Sequence, residues 1–473
     1  MYIELTKAYK ALTDEEMRKN FEQYGHPDGK QDFSQGIALP AWVVDPANTG
    51  YVMGAYALLL GVMLPFFVGR WWYGTRKLTK DGILNSTATL FFHGLKEEST
   101  FGQMVDLLAS ADEYVINPSV VKARKKVGKA GQDEYARLAS LVREHPGEKA
   151  HGGWDGYNGW TPARKRARVL VTAHLLRIPI TDGALLRESQ ATVTLALPLA
   201  GGMTSFALAH NWLACFIGIT RLQQFIIQAV HPSSSPLLQL PHVNDEIVLA
   251  ARHKGVFTVQ QFGRLSPAET DQLLPGVRDD EKKELIEVAQ NWPITDFIGA
   301  KFQVVGEKTV TPGSIVSFVV KLKLNLPGED DASPIVTGSI IDENSFVDTE
   351  DDEEQSIDEL IGRRPASEEG ITPTPYAHAP HFPRNRKPTW HLFVGDHKLN
   401  RVFVQPHRFT DVGADQTRTI RITFPAPPGP GLYTFQVYLM NDSFVGTDAQ
   451  KDMRMRVDAV EEEEESDAES DSK

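Results

Sequence analysis

The residues of this sequence that could do chemistry are few and widely spaced. One cysteine, Cys215, excludes an intrachain disulfide and a thiolate zinc site. Residues 25–30 are one residue too short for a phosphate-binding loop and lack the Ser or Thr that should follow the Lys. His378 and His381 lie in a Pro-rich stretch without thiolate or strong carboxylate partners, which favours a surface pair over a metal site. We therefore expect no catalytic residues, no cofactor and no metal ion, and a protein that is not an enzyme.

Two runs of basic residues could contact anionic groups. Contact with lipid headgroups or acidic partner loops would contribute about 1 kcal/mol per charge near the surface. The alternative is a pair of solvated helix faces. The first run contains Lys122, Arg124, Lys125, Lys126 and Lys129, and the second contains Arg164, Lys165, Arg166 and Arg168.

The net charge of −13 over 473 residues is unevenly distributed. Residues 329–369 carry −13 and residues 461–473 carry −7, so the rest of the chain carries +7. The acidic tail cannot fold by itself and is either a solubilising end or a docking segment for a basic partner. Ser466, with an acid three residues later, is a possible phosphorylation site that would add about −1.5 to −2 charges. The tail's candidate docking residues are Glu461, Glu462, Glu463, Glu464, Glu465, Asp467 and Glu469.

A candidate membrane span occupies residues 46–73. Residues 46–69 contain no charge, and about twenty residues of helix reach roughly 30 Å, the thickness of a hydrocarbon core. Pro65 should kink or end this helix. A buried soluble helix is the alternative, whereas a cleavable signal peptide is excluded by the charged segment that precedes the stretch. The residues expected at the membrane interface are Arg70, Trp71, Trp72, Tyr73, Arg76 and Lys77.

The basic flank predicts the orientation of this span. Residues 31–49 contain no Lys or Arg, so the positive-inside rule places residues from 70 onward in the cytosol and residues 1–45 across the membrane. The glycosylation sequons at Asn85 and Asn441 should then remain unmodified.

The rest of the chain reads as several domains with mixed α and β structure. Residues 74–239 form a helical domain, in which residues 200–230 predict one long helix, either a second span or, preferably, a buried core helix. Residues 240–296 resemble a helix-hairpin-helix around the turn at Gly276, with packing favoured over nucleic-acid binding because acids follow at once. Residues 297–460 alternate like the strands of a fibronectin or immunoglobulin-like β-sandwich, interrupted by a disordered acidic insertion at about 328–388.

The N-terminal residues carry a resemblance to a known family. The strings YIELTKAYKALTDEEMRKNFEQYGHPDG, FSQGIALPAW and VGRWWYGTRK resemble the last two helices of a J domain and the following span of the Sec sixty-three family. That family belongs to the post-translational protein-translocation complex of the endoplasmic reticulum. Residues 1–45 would be the C-terminal remnant of a lumenal J domain. Thr13 is the predicted N-cap of its last helix.

The resemblance also implies partners. The chain would bind the protein-conducting channel through its span and cytosolic domain, and bind the Sec sixty-two subunit through its acidic tail. A lumenal Hsp70 would be recruited only with the missing part of the J domain. His26, Pro27 and Asp28 are not the His-Pro-Asp loop of J proteins, because they follow the last helix and read as a turn. Since the same module occurs in RNA helicases, the alternative function is a nucleic-acid or helicase-associated interaction module.

Overall fold

The computed structural model describes residues 5–6, 9, 12–26, 46–75, 77–150, 159–304, 309–325, 375–410 and 417–459. It divides into two units at the boundary between residues 76 and 77. The acidic tail, with Ser466, lies outside the described residues, as do Pro27, Asp28 and Arg76. Each unit is described separately below.

The first unit contains α1 (Glu15–Tyr24). The helix begins after Asp14, whose carboxylate accepts a hydrogen bond from the N–H of Glu16 at 3.2 Å. The prediction of Thr13 as N-cap is wrong by one residue, because the Thr13 hydroxyl instead donates to the carbonyl of Tyr9. Gly25 ends the helix in the left-handed conformation, with φ +71°.

The uncharged stretch forms one continuous helical segment after a short 3₁₀ turn. It comprises α2 (Thr49–Leu58), a π-helical turn (Leu59–Met63) and α3 (Leu64–Thr75). The π turn stands directly before Pro65, whose ring would clash with a regular turn, so a wider turn accommodates it. By length and composition the helix can cross a membrane, with a mean hydropathy of 2.0 and none of its apolar window buried.

The helical part of the second unit packs around two long apolar helices, α11 and α12. The single helix expected across residues 200–230 is instead the end of α11 and all of α12, because Asn211 adopts φ +57° between them. α11 also passes a length-and-composition test for a span, yet 56% of its apolar window is buried. It is a core helix. The helices are α4 (Asn85–Gly94), α5 (Phe101–Ala109), α6 (Glu113–Ile116), α7 (Pro118–Lys125), α8 (Lys129–Glu144), α9 (Pro146–Ala150), α10 (Pro162–Leu175), α11 (Gly183–Ala209) and α12 (Leu213–Gln228).

Four shorter helices follow and enclose a core of their own. They are α13 (Asp245–His253), α14 (Val259–Gly263), α15 (Pro267–Leu273) and α16 (Asp279–Gln290). Gly276 lies in the turn before α16 with φ +83°, a conformation that favours glycine. Trp292, after α16, is buried and packs edge-on against Phe444.

Within the residues that the structure describes, seven antiparallel strands form two sheets that share one hydrophobic core. Strands β1, β2 and β5 make one sheet in that order, and β4, β3, β6 and β7 make the other. Phe318, Leu392 and Val437 are fully buried between them. The strands are β1 (Ile294–Val304), β2 (Ile315–Asn325), β3 (Trp390–Asp396), β4 (Arg401–Phe409), β5 (Thr417–Pro425), β6 (Gly431–Asn441) and β7 (Ala449–Val457).

The end of the expected insertion needs correction. Most of residues 328–388 lies outside the described residues, but residues 375–388 are placed and contribute to the core. Ala377 and Phe382 are each only 9% exposed, and Phe382 packs with the helical core. Ala377 belongs to the core of the four short helices, whereas Phe382 belongs to the core that includes Phe393 of β3. The Pro-rich composition concealed both contributions.

Candidate functional site

The residues predicted at the membrane interface lie at the end of the apolar helix. Arg70 to Tyr73 belong to α3, and the side chains of Trp71, Trp72 and Tyr73 are 67%, 51% and 73% exposed. Exposed aromatic and basic residues at the end of an apolar helix are typical of a membrane–water interface. Lys77, in the second unit, is also exposed.

The first basic run keeps most of its lysines at the surface. Lys122, Lys125 and Lys126 are exposed at the end of α7, as is Lys129 at the start of α8. Arg124 points inward, where its Nε donates to Glu188 and its Nη2 to the carbonyl of Tyr114, each at 3.0 Å. Four lysines therefore remain as a candidate contact surface.

The second basic run is not a solvated face, because Arg166 and Arg168 on α10 are buried. The Nε of Arg166 donates to both oxygens of the fully buried Glu188, at 2.7 and 2.9 Å, and its guanidinium lies 4.2 Å from the centre of the Tyr135 ring. Arg164 pairs with Asp112 at 2.5 Å, whereas Lys165 is half-buried. A buried charge requires such partners, and burial leaves the guanidinium groups of Arg166 and Arg168 inaccessible to a lipid headgroup.

Arg168 is the centre of a second buried ion network. It donates to Asp106 and to Glu148, at 2.6 Å each, and only 2% of its side chain is exposed. Burial alone would raise the pKa of Glu148, but the neighbouring His231 ring and the charge of Arg168 outweigh it and lower that pKa below its usual range. These contacts join α5, α9 and α10.

The loop between β6 and β7 connects the sheets to the helices. Residues 441–448 insert among α12, α14 and the 3₁₀ turn at Pro236–Gln239. Four glutamines hold its main chain: Gln224 donates to the carbonyl of Asn441, Gln228 to Ser443, Gln239 to Val445 and Gln260 to Gly446, at 2.5 to 3.0 Å. The loop side chains are largely buried as well.

A turn between β3 and β4 holds the start of α12. Asn400 accepts hydrogen bonds from the N–H groups of Leu213 and Ala214, through its carbonyl at 3.2 Å and its side chain at 2.7 Å. The first N–H groups of a helix lack acceptors within that helix. Asn400, in the turn between β3 and β4, supplies two such acceptors to α12. Phe216 of α12 packs edge-on against Phe393, which stacks on Tyr438. The four-stranded sheet and the helices therefore share a continuous core.

These connections were missed from the sequence. The only local signal is the polar stretch NDSFVGTD at 441–448, where a surface loop would be the ordinary expectation. It includes the sequon residue Asn441, which is fully buried and so cannot accept a glycan in the folded chain. Asn85, the other sequon residue, is exposed at the start of α4.

The described residues contain no group of three or more His, Cys, Asp or Glu side chains arranged to hold a metal ion. Burial raises the pKa of Cys215 to about 12, which leaves it an unreactive thiol. The buried charges described above connect the helices to one another.

Comparison with known proteins gives one family match. The family model described as "Sec63 Brl domain" matches residues 81–454. The chain is 32% identical to "Translocation protein sec63" of Schizosaccharomyces pombe and 27% identical to "Protein translocation protein SEC63" of Saccharomyces cerevisiae, each over 96% of the chain. It spans 66% of the length of both relatives. A more distant match, 24% identical over 81% of the chain and 15% of the relative, is "U5 small nuclear ribonucleoprotein 200 kDa helicase" of Drosophila melanogaster.

Proposed function

Because this chain belongs to the Sec63 family, we propose that it is a non-enzymatic membrane subunit of the protein-translocation complex of the endoplasmic reticulum. The observation that carries the proposal is the family match over residues 81–454 together with an apolar helix directly before it. In this role the chain binds the protein-conducting channel and promotes its opening for completed polypeptides.

The finer domain assignments support this role. The strand orders 1-2-5 and 4-3-6-7 suit a fibronectin-like sandwich, and the capped helix α1 suits the end of a J domain. The outer face of the four-stranded sheet is covered by helices through Phe393 and Tyr438. The three-stranded sheet therefore offers the outer sandwich face suited to contact with cytosolic loops of the channel.

The proposed topology places the N-terminus in the lumen and the second unit in the cytosol. It rests on the basic flank after α3 and on the absence of Lys and Arg from residues 31–49. Recruitment of a lumenal Hsp70 belongs to this proposal only for a chain that carries a whole J domain.

Recovery of the channel with the chain tests the function. Membranes solubilised in mild detergent should yield the channel together with the tagged full-length chain, and carbonate washing should leave the chain in the membrane. The substitution Leu60→Arg in the middle of the apolar helix should reduce retention, because a cation near the bilayer centre costs about 2.5–3.5 kcal/mol. Leu399→Arg on an exposed turn of the second unit is the matched control. Full carbonate release of the unchanged chain would contradict the membrane role.

The acidic tail is the proposed docking site for Sec62. Removing residues 461–473 takes away −7 of charge and should lower recovery of Sec62, most strongly at low salt because salt screens exposed charges. Phosphorylation of Ser466 should increase that recovery. Equal recovery with and without the tail at every salt concentration would exclude this docking mode.

A nucleic-acid or helicase-associated module is the second candidate, favoured by the similarity to a spliceosomal helicase. The apolar helix and the acids at the start of α16 count against it. Binding of single-stranded RNA by a chain that carbonate releases from membranes would favour this alternative.

A further inference from the structure

A groove runs between α11 and the segment that leads into β3. It consists of two cavities, of about 280 and 470 Å³, that share Leu197, Pro198 and Arg386. The smaller cavity extends to Arg408 on β4, and the larger one extends to Ser119 at the start of α7. The groove therefore passes from the sheet to the helical part within the second unit.

Arginines dominate the charge of this groove. Arg384, Arg386 and Arg408 line it, and Asp442 is the single acid among the described lining residues. Asp442 is already engaged, because it pairs with Arg386 at 2.5 Å and accepts the N–H of Thr389 at 3.0 Å. Arg384 and Arg408 are exposed and form no ion pair with any residue in the described ranges. Two guanidinium groups are therefore available to a ligand.

The positive charge continues beyond the groove. Ser119, which lines the larger cavity, stands one helical turn before Lys122 on α7. Residues three apart lie on the same side of a helix, so the exposed Lys122 extends the line of cations from the mouth of the groove. This is the first basic run identified in the sequence.

The groove also offers hydrogen-bonding groups suited to a peptide main chain. Pro198 lies inside α11 and has no N–H, so the carbonyl of Thr194 receives no helical hydrogen bond from that position. The side chains of Asn117 and Asn385 lie along the same cavity. Amide and hydroxyl groups beside arginine side chains match an extended peptide that carries carboxylates.

We propose that this groove binds an extended acidic peptide segment of a partner protein, with carboxylates paired to Arg384 and Arg408. The run of glutamates Glu461–Glu465 in the tail of the same chain does not reach the site. It follows β7, whose last residue pairs with Gly431, ten residues along β6 from Asn441. That separation is roughly 33 Å of strand, whereas the residues from Val457 to Glu465 span at most about 28 Å. Asp467, Glu469 and Asp471 lie further along the tail, far enough from Val457 to cover that distance. A run of glutamates in the groove would thus be supplied by another chain, and occupation by the other acids of this chain is an outcome that the test must separate.

Fluorescence anisotropy with the full-length chain in detergent tests the proposal. The probe is a labelled peptide, EEEEESDAESDSK, and its neutral counterpart is QQQQQSNAQSNSK. We expect the acidic probe to bind more weakly as salt increases, and the double substitution Arg384→Glu with Arg408→Glu to weaken binding at least about tenfold, equivalent to 1.4 kcal/mol. The matched control is Arg454→Glu, because Arg454 is exposed on β7 away from the groove.

Several results would overturn the proposal. They are failure of the unchanged chain to bind the probe, equal binding of the neutral peptide, or equal loss of binding in the Arg454→Glu control. If the double Glu variant has a lowered thermal unfolding temperature, Arg384→Gln with Arg408→Gln replaces it. Arginine-dependent binding of a 13-nucleotide RNA or of phosphatidylserine vesicles, without binding of the peptide, would assign the groove to another ligand. Tighter probe binding after neutralising the acids of residues 350–359 would indicate occupation by this chain itself and contradict a partner.

Discussion

At the scale of single residues, the location of charge decides its role. Arg166 and Arg168 belong to the same four-residue basic run as Arg164 and Lys165, yet both are buried beside carboxylates. Arg124 likewise turns inward from a run whose lysines are exposed. Arginine suits these positions because its planar guanidinium can satisfy two carboxylates at once. The charges therefore specify how the helices assemble.

The Arg168 network should be essential for stability. In the substitution Arg168→Met, the buried Glu148 and the nearby Asp106 lose their shared cation. Breaking a buried ion pair in this way costs about 3–5 kcal/mol. We expect a matching fall in the free energy of unfolding, measured by denaturant titration of the full-length chain. Lys126→Met, at an exposed position, should change it little, and equal effects of the two substitutions would contradict the prediction.

Glu134 should make stability depend on pH at acidic values. The N–H of Thr181, the largest cause, and that of Asp182 donate to its carboxylate and lower the pKa of Glu134 from 4.5 to about 2. Asp182 is the N-cap of α11, so Glu134 secures the start of the core helix. A folded-state pKa below the unfolded value gives stability that is complete above pH 4.5 and is lost as the pH falls towards 2.

The substitution Glu134→Gln therefore should lower the thermal unfolding temperature at pH 7 and flatten its decline between pH 4.5 and 2. Thermal unfolding followed at several pH values checks this. The exposed Glu144→Gln on the same helix is the control. An unchanged acid slope in the Glu134 variant would show that the carboxylate does not act through these bonds.

At the scale of elements, the helices and sheets hold one another through loops distant in the sequence. The 441–448 loop accepts hydrogen bonds from four glutamine side chains. The turn at Asn400 accepts hydrogen bonds from the first N–H groups of α12. The glutamine bonds satisfy carbonyl groups of the loop that burial would otherwise leave unpaired, at a cost of about 1–3 kcal/mol for each group. The orientation of the two sheets on the helical part follows from these bonds.

The contribution of the loop can be measured at Gln228. Its side-chain nitrogen donates to the carbonyls of Ser443 and His378, at 2.7 and 3.0 Å. Gln228→Leu leaves both acceptors without this donor, and we expect the chain to lose about 1–3 kcal/mol of stability and to become more sensitive to proteolysis at the loop. Gln190→Leu, exposed on α11, should have neither effect. Proteolysis at equal rates in the two variants would contradict this role.

At the scale of the whole molecule, the apolar helix belongs to the first unit and precedes the larger second unit in the sequence. The two units serve different purposes in the proposed function: the first anchors the chain, and the second offers partners the three-stranded sheet and the basic groove. The topology of the anchor decides which compartment receives those surfaces.

Glycosylation in cells can establish this topology. Asn85 is exposed yet should remain unmodified if the second unit is cytosolic, whereas a missing glycan at the buried Asn441 is uninformative. The substitution Asp32→Asn completes an acceptor tripeptide with Phe33 and Ser34, and we expect it to be glycosylated if residues 1–45 are lumenal. An endoglycosidase-sensitive mass shift checks both sites, and a glycan at Asn85 would reverse the orientation.

The amino-acid sequence by itself determined what depends on local pattern. The uncharged run before Arg70 predicted the apolar helix, and the alternation of apolar and polar residues from Ala300 onward predicted the sheets. Both patterns can be recognised within a short stretch of neighbouring residues. The resemblance in the N-terminal residues predicted the Sec63 family, which the match confirms. The cytosolic orientation and the role of the tail remain predictions.

Only the tertiary structure decided which polar residues face solvent. A basic run has the same composition whether its side chains contact water or pair with a carboxylate such as Glu188. The carboxylates that pair with Arg166 and Arg168 lie on other helices. The same reason applies to Gln228 and Asn400, whose partners lie more than 150 residues away. Such contacts form when distant segments pack together. The free energy of burial then selects which charges are paired inside and which, like Arg384 and Arg408, remain at the surface for a partner.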